Sequence, residues 1–296
     1  MKPLRLRLQQ AREKQRIPWD VLERDYVLSW LLAGMSRVDA LRETLVFKGG
    51  TALKKCYFGD YRFSEDLDFS SLEGAPTGIY MEEAMNKACE TATALIDPYA
   101  QVEIKCQRYT EREPHPGGQE AFIIKARLPW HREPHARVMV EITLDEPVLQ
   151  STPEREVIHG YEESLDTMIQ VYSLEEIVAE KLRAILQHQL KLEKKGWSRS
   201  RARDYYDLWR VLGAYRHQMD LFSLPALLNE KCLLRGVSFQ ESEDFFRNPM
   251  LGYVRQTWNR WLGPLVTELP ECDIVIDELR PWINILVDPG KFGSEG

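Results

Sequence analysis

The stretch VFKGGTALKKCYFGDYRFSEDLDFS, from Val46 to Ser70, sets a glycine pair ahead of a helix-like run. It then places two aspartates, Asp66 and Asp68, one residue apart in an apolar strand. In a strand, residues i and i+2 share a face about 6.6 Å apart. Asp66 and Asp68 therefore point the same way, and Leu67 and Phe69 point into a core. Two ionised carboxylates at that spacing repel by roughly 2–3 kcal/mol at an effective dielectric of about 20. The pair is unfavourable unless a cation lies between the acids or both are solvated on an edge strand. A pair of hard oxygen ligands suits Mg²⁺.

Upstream, Leu45, Val46 and Phe47 read as a short buried strand. Gly49 and Gly50 free the backbone for close approach, and Thr51 is predicted to N-cap a helix through about Tyr57. A strand, a glycine turn and a helix N-terminus together bind phosphate. With the acid strand returning beside them, the unit predicts a site for a magnesium-bound nucleoside triphosphate.

The same residues carry a family resemblance. The G-G-T at Gly49 to Thr51, followed by RFSEDLDFS from Arg62 to Ser70, resembles the first motif of the polymerase-β-type nucleotidyltransferases, in particular the AbiEii/MenT family of toxin nucleotidyltransferases. Two further stretches resemble that family in matching order, SLEEIVAEKLRAIL (Ser173 to Leu186) and RDYYDLW (Arg203 to Trp209). The gap from Thr51 to Asp66 is on the long side, and the tract after Trp209 matches no named motif.

Composition bounds the rest. A chain of 296 residues with 44% hydrophobic residues is long enough for a sizeable core and two domains. The five cysteines are odd in number, widely spaced and without a C-x-x-C, which predicts neither a disulfide framework nor a zinc site. The N-terminal residues carry charges without an apolar h-region, and no apolar run is long enough to cross a bilayer. The expectation is a soluble, cytoplasmic protein with no membrane partner.

Net charge is −7, but it is unevenly spread: Lys181 to Arg210 holds nine Lys/Arg against three acids. Such a patch steers a polyanion to one face; a solvated helix end and loop is the plainer reading of the same run.

Periodicity places a helix over WDVLERDYVLSWLLAGMS (Trp19 to Ser36) and another over YMEEAMNKACETATALI (Tyr80 to Ile96), followed by strand-like runs in AQVEIKCQRY, EAFIIKARL and ARVMVEITL. The turns between them are rich in proline or glycine. His115, His131 and His135 fall in these turns and read as solvated loop histidines. The order predicts a mixed α/β (α+β) fold: a mixed-sheet polymerase-β-like nucleotidyltransferase domain with N-terminal helices over residues 1–165, then a C-terminal helical domain over 166–296. In the third strand Val138, Val140 and Ile142 share one face and Glu141 lies on the other.

Beyond Ser173 the pattern is helical. Ser173 and Glu176 have capping-box spacing, Leu174, Val178, Leu182, Ile185 and Leu186 form an apolar stripe, and Gly196 is an end signal. Lys181 falls beside the stripe, where a lysine ordinarily snorkels to solvent. The next helix, from near Ser200, carries Asp204 and Asp207 three residues apart, and the helix dipole alone accounts for one acid in the first turn. Three later stretches read as further amphipathic helices.

The resemblance implies the chemistry. Asp66, Asp68 and, as a third acid from a neighbouring strand, Glu141 would hold Mg²⁺. Gly49, Gly50 and Thr51 would cradle the β- and γ-phosphates, with Arg62 and Ser64 at the rim. Lys181 aligns with the family's functional lysine and suits a triphosphate contact, and Asp204 would fix its ammonium. Arg201 or Arg203 would hold anion or acceptor. The implied reaction moves a nucleotide from a nucleoside triphosphate to RNA, with the 3′ end of tRNA the expected acceptor, so that translation is blocked; a toxin also implies a cognate antitoxin. Adenylylation of a protein, nucleotide transfer to a small molecule and non-catalytic nucleotide or RNA binding stay open as alternatives.

Overall fold

Five stretches alternate or run apolar as strands do, and they pair into one sheet in the order β1-β2-β5-β4-β3. The computed structural model describes residues 1–109, 119–196 and 199–287. The chain divides into two compact units, Met1–Tyr172 with Leu265–Thr267, and Ser173–Pro264 with the described residues from Glu268 onward.

The first unit opens with helices α1 (Leu4–Gln15), α2 (Trp19–Ser36) and α3 (Asp39–Arg42). Strand β1 (Leu45–Lys48) leads into α4 (Gly49–Ala52), which continues as a π-helical turn over Leu53–Tyr57, and the chain returns as β2 (Asp66–Ser71). Helix α5 (Ile79–Ile96) follows, then the antiparallel meander β3 (Glu103–Arg108), β4 (Gln119–Arg127) and β5 (Ala136–Thr143). A small ribbon of β6 (Glu154–Glu156) and β7 (Met168–Gln170) closes the unit. β1 and β2 are antiparallel, whereas β2 and β5 are parallel. A parallel pair needs a long crossover, and α5 with the meander supplies it.

Burial follows the alternation. Leu67 and Phe69 of β2, and Val138, Val140 and Ile142 of β5, are all buried, so Asp66, Asp68 and Glu141 take the opposite face. The π-helical turn brings Lys55 inward, where it donates to Asp25 Oδ2 at 2.8 Å and Ser29 Oγ at 2.9 Å from α2. Burial works to raise the Asp25 pKa, but Lys55 and Lys54 outweigh it and hold the carboxyl below the ordinary value. Nearby, His159 is pushed down to about 3 by burial and by the positive charge of Lys55.

The second unit is helical: α6 (Leu174–Lys195), α7 (Ala202–Tyr215), α8 (Leu224–Leu234), α9 (Asn248–Leu262) and α10 (Cys272–Val287), with a 3-10 turn at Ser242–Phe246. Ser173 Oγ accepts the Glu176 N–H at 3.1 Å. The Glu176 carboxylate, which the capping box would aim back at the helix start, forms an ion pair with Lys231 at 2.6 Å, with both side chains fully buried. Gly196 ends α6 in the left-handed region at φ 70°.

Two expectations need correction. Thr51 does not cap the helix: α4 begins at Gly49 after Lys48, and Thr51 Oγ1 donates instead to the Asp66 carbonyl at 2.5 Å. The glycine permits the earlier start, and the hydroxyl fastens the turn to the acid strand. His131 is not a solvated loop histidine, because its Nε2 lies 3.2 Å from Glu23 Oε1, which also accepts from Trp130 Nε1 at 2.8 Å. His115 lies outside the described residues. All five cysteines are free thiols, and among the described residues no helix is long and apolar enough to cross a membrane.

Candidate active site

Register brings the three acids together. Asp68 pairs with Glu141 across the parallel β2–β5 ladder, and Asp66 pairs with Met139. Residues opposed across a ladder share a face, so Asp66, Asp68 and Glu141 lie on one side of two adjacent strands. Asp66 is exposed, and Asp68 and Glu141 are half-buried. Among the described residues no three His, Cys, Asp or Glu side chains converge into a ready-made metal cage. Mg²⁺ characteristically takes one or two carboxylates and completes its shell with water and substrate phosphate; two aspartates on one face fit that requirement without a closed cage.

Gly49 is required by its backbone conformation, and Gly50 leaves the space that a side chain fills. Gly49 has φ 80°, in the left-handed region, and a Cβ there would stand 2.5 Å from Asp68 Oδ2. A Cβ on Gly50 would collide with the Arg62 guanidinium. The turn therefore has an aspartate against one glycine and an arginine against the next. Arg62 is buried, so its charge sits beside the first turn of α4, where backbone N–H groups already favour an anion. Thr51 is buried with its hydroxyl turned to β2, which leaves its backbone to that turn. Ser64 is half-buried two residues before Asp66.

A cavity of about 420 Å³ opens beside Asp66, lined among others by Arg24, Glu65, His135, Arg137 and Met139. A larger one, about 830 Å³, runs along α1 past Arg5, Arg12 and Arg16 and is lined by none of the three sheet acids. The smaller cavity is the one that bears on the acid face.

In the second unit Lys181 is buried and held by two carboxylates: its Nζ lies 3.1 Å from Asp204 Oδ1 and 2.6 Å from Asp207 Oδ2. Arg201 Nη1 donates to Asp204 Oδ2 at 2.8 Å. Burial works to raise the Asp204 pKa, but Lys181 and Arg201 outweigh it and keep the group well below the carboxylate range. The resemblance implies a role for Asp204 and none for Asp207, yet Asp207 is fully buried and makes the shorter contact. Its i+3 spacing was the available signal. Around this cluster cations crowd: burial, then Arg201, Lys195, Arg199 and Arg183, depress the Lys191 pKa. Burial with Arg201 and Lys191 pushes His188 down to about 3.

A model of the family described as nucleotidyl transferase AbiEii toxin, type IV TA system, matches residues 30–282. The chain belongs to the AbiEii nucleotidyltransferase toxin family. It is accordingly the nucleotidyltransferase toxin of a toxin–antitoxin pair, a class that uses a nucleotide substrate and is matched by a cognate antitoxin. No curated protein sequence matches the chain. Among solved structures, this AbiEii toxin is similar to MenT4, the nucleotidyltransferase toxin Rv2826c from Mycobacterium tuberculosis H37Rv. Identity is 22%, the match covers 91% of this chain and 85% of that one, and the TM-score is 0.55. That likeness is one of fold: a mixed sheet with helices, followed by C-terminal helices.

Proposed function

We propose that this AbiEii-family toxin transfers a nucleotide from a nucleoside triphosphate to an RNA hydroxyl, with the 3′ end of tRNA as acceptor, in a Mg²⁺-dependent reaction that blocks translation. The observation that carries the reading is the acid row on β2 and β5 beside a glycine turn that admits both Asp68 and the Arg62 guanidinium.

Asp66 and Asp68 would hold Mg²⁺, with Glu141 next to Asp68 as the third acid. Bound there, the ion would supply neutralisation of charge on the phosphoryl oxygens. The backbone of Gly49, Gly50 and Thr51 receives the β- and γ-phosphates, Arg62 adds a fixed positive charge, and Ser64 would stand at the rim of the pocket. Glu141 accepts the proton of the attacking hydroxyl at a carboxylate oxygen. The hydroxyl oxygen bonds to the α-phosphorus as the bond to pyrophosphate breaks. Lys181 serves as a phosphate-binding ammonium whose position Asp204 and Asp207 fix.

The RNA assignment is supported by the cation crowd around Lys191, since RNA binding requires neutralised phosphates. Reversing Lys194, Lys195 and Arg199 to glutamate is expected to lower RNA labelling at least about tenfold and to flatten its salt dependence, with nucleotide binding nearly unchanged. Incubation with each labelled nucleoside triphosphate and total RNA, across a salt titration, measures this. Equal RNA labelling by the triple variant and the parent rejects RNA docking by this surface, and label found on a protein or small molecule instead reassigns the acceptor.

A further inference from the structure

The face that carries the acids carries one more charged side chain in the same row. In the antiparallel β1–β2 ladder Lys48 pairs with Asp68, and across the β2–β5 ladder Asp68 pairs with Glu141. The next strand contributes Ala121 opposite Glu141. Opposed residues share a face, with Cβ atoms about 4.5–5.5 Å apart. The row therefore reads cation, anion, anion, methyl.

Lys48 is buried, at 7% exposure. Its Nζ stands 3.9 Å from Glu146 Oε2 and 5.6 Å from the centre of the Tyr172 ring. An ammonium taken out of water needs anions around it, and the backbone keeps it on this face: Lys48 is extended, at φ −140° and ψ −176°, and the helical turn starts only at Gly49.

We infer that Lys48 is a built-in counter-cation of the metal-binding acids, a positioning residue that balances Asp68 and Glu141 in the ion-free protein and thereby limits how tightly the site holds a divalent cation. This rests on the proposed reading that Asp66 and Asp68 hold the metal. The electrostatics follow from sign. An opposite charge beside Asp68 relieves the repulsion between neighbouring carboxylates, which stabilises the empty site. The same charge repels an incoming divalent ion, which weakens the filled one. A site tuned this way holds the ion firmly only when a triphosphate brings its own negative charge. Lys48 thereby makes nucleotide and metal arrive as one ligand.

The test is a Mn²⁺ titration of the full chain without nucleotide at pH 8, read as the free-ion EPR signal, with thermal unfolding measured alongside. The variants are Lys48→Gln, Lys48→Arg and, as a control for the site, Asp68→Asn. Lys48→Gln is expected to bind Mn²⁺ about five- to tenfold more tightly than the parent, from the loss of one like charge in the neighbouring ladder position. Its melting temperature without ion falls, and the rise on adding Mn²⁺ exceeds that of the parent. Lys48→Arg keeps the charge and matches the parent within about twofold, a rescue that loss of side-chain length or packing would not predict. Affinity in Lys48→Gln equal to or weaker than in a parent whose binding is sensitive to Asp68→Asn overturns the counter-cation role and leaves the metal reading standing. Binding detected in neither the parent nor Lys48→Gln overturns the metal reading itself, and this inference with it. Lys48→Met repeats the measurement if Lys48→Gln does not fold; failure of both to fold with and without Mn²⁺ makes Lys48 a residue of the fold and also overturns the role.

Discussion

Asp66, Asp68 and Glu141 on the sheet, and Lys181, Asp204, Asp207 and Arg201 on the helices, are two ways of arranging charge in one chain. On the sheet, three acids share a face of two neighbouring strands. On the helices, two cations and two anions interleave at 2.6 to 3.1 Å, and burial strengthens each contact. The first arrangement sets three acids against the single ammonium of Lys48 and calls for a further cation. The second is internally balanced, so the Asp204 carboxylate resists protonation and its lysine is held in one place. A like-charge group can gain free energy from what it binds, whereas a balanced group can gain it from folding.

Substitution should separate the two. The largest effect is expected on the sheet: Asp66→Ala or Asp68→Ala should reduce metal-dependent nucleotide transfer more than about 1,000-fold; Asp66→Ala should melt at or above the parent because repulsion is relieved, and Asp68→Ala below it because the buried Lys48 loses a facing anion. A labelled-nucleotide assay with a thermal melt measures both, and near-parent activity in either variant removes the metal assignment. Next is the helical cluster, where Asp207→Ala should cost about 3–5 kcal/mol by leaving a buried cation short of an anion. Asp204→Ala should cost less, since Asp204 is the more exposed acid. Denaturant titration ranks them, and the opposite order would mean that the short Asp207 contact is not what holds Lys181. Lys181→Ala and Asp204→Ala should each lower transfer by about tenfold or more; full activity in both would confine the cluster to stability.

A smaller effect is expected with pH. His159 is held at about 3 in the folded chain, while the unfolded chain takes up that proton near 6.5. Its contribution to stability is therefore complete above pH 6.5 and falls as pH drops toward 3, by about 1–2 kcal/mol by pH 5. His159→Gln should flatten that part of the stability profile, and an unchanged slope would assign it to other groups. The smallest effect is Thr51→Val, which removes one hydroxyl hydrogen bond to the Asp66 carbonyl and should cost about 1 kcal/mol. A much greater loss would mean that this bond aligns the acid strand as well as fastening it.

What was legible in the sequence was local. Alternation located β2 and β5, the two-residue spacing put Asp66 and Asp68 on one face, and the apolar stripe of α6 put Lys181 beside buried positions. Nothing local states that Glu141 pairs with Asp68 rather than with a residue two positions away, because register is decided between strands distant in the chain. Asp207 was overlooked for a related reason: its partner lies on another helix, and an i, i+3 pair of acids looks the same whether one of them faces water or a lysine. Thr51 was misread because a threonine after two glycines has the composition of a cap, and only the placement of β2 gives its hydroxyl a nearer carbonyl. The π-helical turn at Leu53–Tyr57, which lets Lys55 reach Asp25, has no compositional mark at all.

The parallel ladder between β2 and β5 also has a consequence in time. Asp68 and Glu141 are roughly 70 residues apart, and contacts so distant in sequence form late because the intervening loop must close before pairing returns any free energy. On a ribosome the aspartate pair emerges long before the strand that completes its row, with α5 and the meander still to be made. The newborn chain thus carries its acids unassembled while α5 and the meander are made, and the row closes only after β5 has been released and can pair.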